Sequence, residues 1–564
     1  MKNYYFSTVI ICFFVMILSY SFQQEKKKKP GPITFRDVTA DVGLIEPLKG
    51  LNGHCCAWGD INNDGYPDLF VGTFANHDDS VYAKRGHGAF PEPDKLFINN
   101  KGVSFTEVTP SPTEIAGIIG SAAFVDLDND GYLDFISAHM SSAKNTYGYP
   151  KFNQSNHLFH NDGTGRLIDV TSKSNLVFNN DTVPTSPRNT FALDYDGDGA
   201  VDLLLQDDDA WNWSIGKSRL MRNTGNMVFE DVTTKAGLPN HFYGLGGFVG
   251  DINDDSWPDI YFAHSNVMYI NNKNGTFHKL DYQFFDPKYA ATSREENKDW
   301  TCGADIGDIN GDGLLDMVMG DHLYKAQTIK HKLSVYINKG NNSNGDPQFE
   351  EVSEKIGIKT INNKEPHIAI EDLDNDGDMD ILVSNRDDFV YTNIGVGSDG
   401  LPHFTGPTGS NGPLLGLPYW PSGPVADYDR DGRLDFTGPQ WYSTETSPLL
   451  RNVTEGADDY ITVGINLPSE KNRNGIGATV RMYKPGKAGK KNALLGVKCI
   501  CIANGYSSGN PAEAHFGTPG YNKVDIVVTM PCDGKTYIAR RVPTKQLFIL
   551  SESASEIDRN SNRN

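Results

Sequence analysis

The sequence predicts an all-β chain, a seven-bladed β-propeller followed by a small β-rich domain, on three observations. Glycine (57 residues) and aromatics (11%) are plentiful while charged residues stay at 22%, a turn-rich globular composition. An acidic nine-residue segment recurs seven times at intervals of 55 to 68 residues. Each copy is flanked by short apolar runs rich in β-formers, such as "LFVG", "FISA", "LLLQ" and "IYFA". A chain of 564 residues has room for such a repeat ring and a further domain.

The N-terminus comes first. Lys2 precedes an apolar run from Phe6 to Leu18, and Ser19 and Ser21 are small residues where a signal peptidase reads its site, so residues 1–21 are expected to be a signal peptide. About 14 apolar residues fall short of the roughly 20 that span a bilayer. No later segment is long enough, so no transmembrane segment is expected after cleavage and the chain should be secreted and extracellular. Glycosylation sequons at Asn153, Asn180, Asn212, Asn274, Asn341 and Asn452 agree with a glycoprotein. The net charge of -21 repels a polyanion, and no basic stripe offsets it, so no nucleic-acid partner is expected. Cys12 leaves with the signal. Of Cys55, Cys56, Cys302, Cys499, Cys501 and Cys532, the last three fall close together, and a bridge from Cys532 to Cys499 or Cys501 is expected; buried free thiols are the alternative for the others.

The recurring segments, loops 1 to 7, read "DINNDGYPD", "DLDNDGYLD", "DYDGDGAVD", "DINDDSWPD", "DINGDGLLD", "DLDNDGDMD" and "DYDRDGRLD". Positions one, three, five and nine always carry a side-chain oxygen. They are Asp60, Asn62, Asp64 and Asp68 in loop 1; Asp126, Asp128, Asp130 and Asp134 in loop 2; and Asp194, Asp196, Asp198 and Asp202 in loop 3. Loop 4 has Asp251, Asn253, Asp255 and Asp259, and loop 5 has Asp308, Asn310, Asp312 and Asp316. Loop 6 has Asp372, Asp374, Asp376 and Asp380, and loop 7 has Asp427, Asp429, Asp431 and Asp435. Crowding these carboxylates is unfavourable unless a cation sits among them, and hard oxygen ligands at this spacing suit Ca²⁺, with position seven adding a backbone carbonyl. Magnesium demands a stricter octahedron and keeps its waters. An EF-hand is excluded, because position twelve, Val71 in loop 1 and Gly438 in loop 7 for example, is never a glutamate. Up to seven Ca²⁺ are expected, and full loading would bring the net charge from -21 to about -7. Position six is glycine, for a left-handed turn, except at Ser256.

After each loop comes a second element such as "KLFINNKGVSFTEVT" or "RLMRNTGNMVFEDVT", a strand pair, so each repeat contributes four strands. The seventh repeat lacks its last strand after "PLLRN", whereas "TFRDVTADVGL" (Thr34 to Leu44) precedes loop 1 and matches "VFEDVTTKAGL" from Val228. The N-terminal strand is therefore expected to complete the last blade and close a propeller over residues 31–455, leaving no free edge.

These repeats resemble the integrin-type FG-GAP/VCBS calcium propeller. Residues 458–550 resemble the ASPIC/UnbV domain through "NRNGIGATVRMY" (Asn472 to Tyr483) and "ANGYSSGNPAEAHFG" (Ala503 to Gly517). Together they resemble the cartilage acidic protein family, which implies a secreted calcium-binding glycoprotein. Two departures stand out: "MPCDG" (Met530 to Gly534) replaces the family's "WPSG", and residues 551–564 form a polar tail, expected to be disordered, where vertebrate members continue into an EGF-like module. Read on its own, the last domain shows strands at "TVRMY", "KCICIA", "VDIVVTM" and "QLFIL", and its lone His515 is expected to be structural.

Function is expected on the face opposite the loops. There "TFANHDDSVYAKRGHGAFPEPD", "HMSSAKNTYGYPKFNQSN", "QDDDAWNWSIG", "NKDW" and "LPYWPSG" mix aromatics with polar residues, and Trp211, Trp213, Trp300 and Trp420 would anchor an extracellular protein or glycan ligand. The alternative that these aromatics pack their own loops stays open. A second function, a carbohydrate-active enzyme, would use the polar series Thr73, His139, Asp207, His264, Asp321, Asn385 and Gln440 at the channel mouth, but every propeller needs polar residues where strands leave the core, so no enzymatic activity is expected. An integrin-like receptor subunit lacks its spanning helix.

Overall fold

The computed structural model describes residues 29–74, 92–140, 156–178, 187–207, 217–239, 244–284, 300–322, 333–358, 367–384, 389–408, 420, 422–440 and 446–558. Nearly all regular structure in them is β. The third repeat illustrates the unit: Pro187–Leu193, Asp202–Asp207, Arg219–Asn223 and Phe229–Asp231 pair in that order, each antiparallel to the last. The first two strands are buried throughout, which is why they read as continuous apolar runs. The last exposes Glu230 and Asp231 while burying Phe229, as befits an outer strand. Among the described residues six sheets have four strands, and the sheet of the first repeat gains a fifth, Ser508–Gly509, from the C-terminal domain. Between neighbouring sheets aromatic side chains fill the wedge, as where Phe70, Phe124 and Phe159 surround Phe135 at centroid distances of 4.6 to 5.9 Å.

The N-terminal strand Phe35–Asp37 pairs antiparallel with Leu449–Asn452 of the seventh repeat, Phe35 opposite Asn452. Its carbonyls and amides thereby cover what would be an open edge.

The C-terminal domain holds two sheets. Glu513–Gly517, Tyr460–Ile465 and Leu547–Leu550 form one; Leu494–Cys499, Thr479–Tyr483, Lys523–Thr529, Thr536–Pro543 and Glu556–Asp558 form the other. The last strand corrects the expected disordered tail: Glu556–Asp558 pairs with Thr536–Ile538, and Glu556 faces Arg540, so residues 551–558 are ordered and cover a sheet edge. The expected bridge is also absent. Cys499, Cys501 and Cys532 form no disulfide; Cys532 Sγ donates to the Asp194 carbonyl at 3.2 Å, whereas Cys501 Sγ donates to the Val249 carbonyl at 3.0 Å, so the two thiols are engaged at different backbones.

The segment "ANGYSSGN" (503–510) leaves the C-terminal domain and runs along the propeller axis. It meets residues in or beside the first strand of each repeat. Ser508 pairs with Cys56, Gly509 packs on Ala122, and Ser507 N donates to Asn189 Oδ1 at 2.6 Å. Gly505 exchanges backbone hydrogen bonds with Gly247 and donates to the Ala304 carbonyl, Tyr506 N donates to His367 Nδ1, and Gly423 N donates to Ser508 Oγ. A β-carbon on Gly246 would lie 2.2 Å from the Gly505 carbonyl oxygen, so glycine there is what admits the segment. Among the described residues no helix is long and apolar enough to cross a membrane.

Candidate metal centres

Each loop joins the first and second strands of its repeat and folds by the same hydrogen bonds. The position-six amide donates to Oδ2 of the position-one aspartate at 2.8 to 3.0 Å in all seven. The position-seven amide donates to Oδ1 of the position-five aspartate, also in all seven, at 2.9 to 3.0 Å. These amides fix the orientation of each carboxylate, and in six loops a further amide reaches the position-one Oδ1, as in Asp64 N to Asp60 Oδ1 at 3.0 Å. Positions four and six both sit at positive φ in every copy, from 56° at Asn63 and 93° at Gly65 to 57° at Arg430 and 90° at Gly432. Ser256 keeps that conformation at φ 70° despite its side chain.

The position-nine aspartate is almost fully buried in every loop, and two amides hold it. One belongs to position two of its own loop, as in Ile61 N to Asp68 Oδ2 at 3.0 Å. The other belongs to an asparagine at or near the end of the third strand, as in Asn99 N to Asp68 Oδ1 at 2.8 Å. That asparagine recurs as Asn99, Asn161, Asn223, Asn271, Asn338, Asn393 and Asn452, and its Nδ2 reaches the position-two carbonyl of the preceding loop at 2.7 to 3.2 Å. Asn99 reaches back to Tyr428, so the chain of links runs around the ring and closes. Sequence reasoning passed over this residue, although an asparagine stands at that place in all seven copies of "LFINN", "LFHN", "LMRN" and their kin. It also reassigns one sequon: Asn452 is fully buried, with its Nδ2 on the Leu373 carbonyl at 2.7 Å. Peptide mapping of the native protein is expected to find Asn452 unmodified and to find any glycan at exposed positions such as Asn274; an occupied Asn452 would contradict the link.

The candidate ligands converge. Carboxylate oxygens of positions one, three and nine lie within 4.8 Å of one another in loop 3 (Asp194, Asp196, Asp202), loop 6 (Asp372, Asp374, Asp380) and loop 7 (Asp427, Asp429, Asp435). In loop 2, Asp126, Asp128 and Asp130 form one such group, and Asp128, Asp134 and His160 another. Loops 1, 4 and 5 have Asn62, Asn253 and Asn310 at position three. Burial drives the position-one and position-nine carboxyls up, their acidic neighbours adding to it: Asp68, Asp194, Asp251, Asp308 and Asp427 to about 7, Asp126 to about 6, and Asp202, Asp259, Asp316 and Asp435 well above the usual range. Two ligand-position oxygens are buried without any hydrogen-bond partner, Asp427 Oδ1 and Asn253 Oδ1. A buried oxygen left in that state costs about 1–3 kcal/mol, and a hard cation satisfies it. Arginines that the sequence reading did not single out also face the loops: Arg222 lies 2.7 Å from Asp196 and 2.5 Å from Asp198, and Arg451 2.6 Å from Asp429 and 2.8 Å from Asp431.

The expected recognition segments lie largely outside the described residues, and with them Trp211, Trp213 and the side chain of Trp300. Trp420 is described and corrects its expectation, because it is fully buried between Phe389 and Phe436 and not a surface anchor. Of the polar series, Asn385 and the side chain of Asp321 lie outside the description. Thr73, His139, Asp207 and Gln440 are buried: Thr73 N donates to Asp94 Oδ1 at 2.7 Å, and His139 Nε2 lies 2.8 Å from Asp94 Oδ2. His515 is structural, as expected. Its Nε2 sits 2.7 Å from Asn375 Oδ1 and its Nδ1 3.0 Å from Thr462 Oγ1, and burial pushes its pKa down to about 3.

A ring of four-stranded sheets with an acidic loop at the same corner of each defines a β-propeller with a recurring acidic loop between its first and second strands. Residues 60–137, 194–262, 251–319 and 308–383 match the FG-GAP-like repeat family, and residues 468–557 match the ASPIC and UnbV family, so the chain carries FG-GAP-like repeats and a C-terminal ASPIC/UnbV domain. It is similar to Cartilage acidic protein 1 of Xenopus tropicalis (25% identity over 33% of this chain and 27% of that one) and of Homo sapiens (26% over 34% and 28%). The match thus spans about a quarter of the length of these curated relatives. Among solved structures, an Agrocybe aegerita lectin specific for non-reducing terminal N-acetylglucosamine aligns over 63% of this chain and 80% of its own, with 16% identity and a TM-score of 0.38.

Proposed function

We propose that this chain is a secreted calcium-binding glycoprotein whose propeller serves as an extracellular recognition or matrix-interaction module. The observation that carries the calcium reading is the pair of buried, unpartnered oxygens at Asn253 and Asp427, inside a loop whose donor set recurs seven times. In each loop the side chains at positions one, three, five and nine and the position-seven carbonyl would hold the ion. The similarity to Cartilage acidic protein 1 supports the extracellular setting. The alternative, an enzyme at the channel mouth, has less support: the axis is taken by residues 503–510, and of the described polar residues named for it Thr73, His139, Asp207 and Gln440 are buried, with His264 half-buried.

Equilibrium dialysis with Ca²⁺ tests the proposal. Several ions per chain, up to seven, are expected, and none bound would overturn it. The same titration separates loop 4, where Ser256 pays about 1 kcal/mol for its left-handed backbone. Ser256→Gly is expected to tighten that site by about fivefold, and weaker binding would contradict the strain argument. For the recognition role, affinity capture from extracellular matrix extracts should give partners retained in calcium and lost in EGTA.

A further inference from the structure

We propose that the C-terminal domain is a calcium-dependent lid on the propeller, docking on the loop face so that calcium binding and docking strengthen each other. This rests on the reading that the loops bind calcium.

The domain touches the parts of the loops that set ligand geometry. Its Gly517 amide donates at 2.9 Å to Oδ2 of Asp372, the position-one carboxylate of loop 6, an oxygen shared with the Gly377 amide. Cys532 N donates to the Ser256 carbonyl of loop 4 at 2.7 Å, and Lys471 Nζ to the Asp198 carbonyl of loop 3 at 2.8 Å. Position four, turned outward by its positive φ between two ligand positions, carries the rest. Asn129 accepts from Arg473 N at 3.0 Å and donates to the Glu470 carbonyl at 2.9 Å; Asp254 pairs with Arg481; Arg430 forms a two-pronged pair with Glu513 at 2.7 and 2.8 Å. Five loops are thereby held, at backbone carbonyls in loops 3 and 4 and at side chains in loops 2, 4, 6 and 7, by residues lying next to, or belonging to, candidate ligands.

Charge favours the same arrangement. Residues 458–557 hold thirteen Lys and Arg against eight Asp and Glu, in a chain whose net charge is -21. Lys498 of this domain is buried 2.5 Å from Glu371 of the propeller. Without a divalent ion each loop holds three or four mutually repelling carboxylates, and the positions that the domain grips lose the ion that fixes them. Whatever the lid adds to calcium affinity, calcium adds to docking by the same factor.

Hydrogen exchange on the full chain, in calcium and in EGTA, tests this, with dialysis run in parallel. In EGTA the Gly517 and Cys532 amides are expected to exchange at least tenfold faster. Amides inside the C-terminal sheet (Arg481 opposite Val527) and inside the first blade away from residues 503–510 (Phe70 opposite Leu96) should keep their protection. Unchanged exchange at Gly517 and Cys532 after calcium has left overturns the lid, and so does loss at all four places together, which would be unfolding. As a second measurement, the double variant Arg473→Ala, Arg481→Ala, which touches no candidate ligand side chain, should weaken calcium binding at least threefold; unaltered affinity overturns the linkage. Wild-type chain that takes up no calcium overturns the calcium reading and the lid with it, an outcome distinct from calcium uptake without change in exchange.

Discussion

Chelation of calcium at pH 7.5 is expected to lower the melting temperature of the purified chain by roughly 10 °C. A site held at ten times its dissociation constant contributes about 1.4 kcal/mol, and seven such sites about 10 kcal/mol. For a chain of this size the unfolding entropy converts that into a shift of about that many degrees. The loss should depend on pH with a definite sign. Burial raises the position-one and position-nine carboxyls, Asp68, Asp194 and Asp308 to about 7, above the unfolded aspartate value near 4. Between about pH 4 and 7 the folded, metal-free chain therefore binds more protons than the unfolded chain, and its stability falls as pH rises through that window. Calcium binding requires those protons to leave, so its contribution grows over the same range. Melts in EGTA should run higher at pH 5 than at pH 7.5, and the gap between calcium and EGTA should widen toward neutral pH. A melt at pH 7.5 indifferent to EGTA would exclude calcium as a structural ion.

The second large effect belongs to the asparagine ring. Asn99→Ala removes the donors to the Pro67 and Tyr428 carbonyls and the acceptor of the Gly102 amide, all at 2.7 to 2.9 Å, and leaves buried backbone groups without partners. A cost of about 3–5 kcal/mol is expected. The adjacent Asn100 is exposed, and its side chain donates only to Ser104 Oγ and Thr106 Oγ1, while its backbone N donates to the Ser104 carbonyl and its carbonyl accepts from Val103 N. Asn100→Ala should cost about 1 kcal/mol or less. Denaturant melts of the two variants check the contrast, and equal losses would show that Asn99 is not a link between the ends of the ring.

The loops were readable in the sequence because each ligand position must carry an oxygen at a fixed interval, so chemistry writes itself into spacing. The apolar strands around them were readable because strands buried on both faces tolerate little else. The closing strand followed from a count of missing "F-x-D-V-T" segments, and Phe35 does pair with Asn452. What stayed hidden depended on contacts between segments far apart. Nothing local to "ANGYSSGN" says that it runs between the first strands of the repeats. Nothing local to "NVT" at Asn452 separates a glycan acceptor from a buried donor. Trp420 sits in a Gly/Pro-rich stretch that reads as surface, yet it fills a pocket beside Gly438, whose absent side chain makes room for the indole. The tail strand was missed because "SEID" has one apolar residue, and its pairing is decided by the open edge of Thr536–Pro543.

The pairing of Phe35–Asp37 with Leu449–Asn452 also sets a timetable. Thr34 and Thr454 bond to each other across 420 residues. At about 5–20 residues per second a ribosome takes roughly 20–80 s to cover that distance. The strand made first is thus among the last to find its partner. During that interval the growing chain presents an unpaired outer edge and an open row of blades, and the nascent protein depends on whatever shields exposed strands in its compartment.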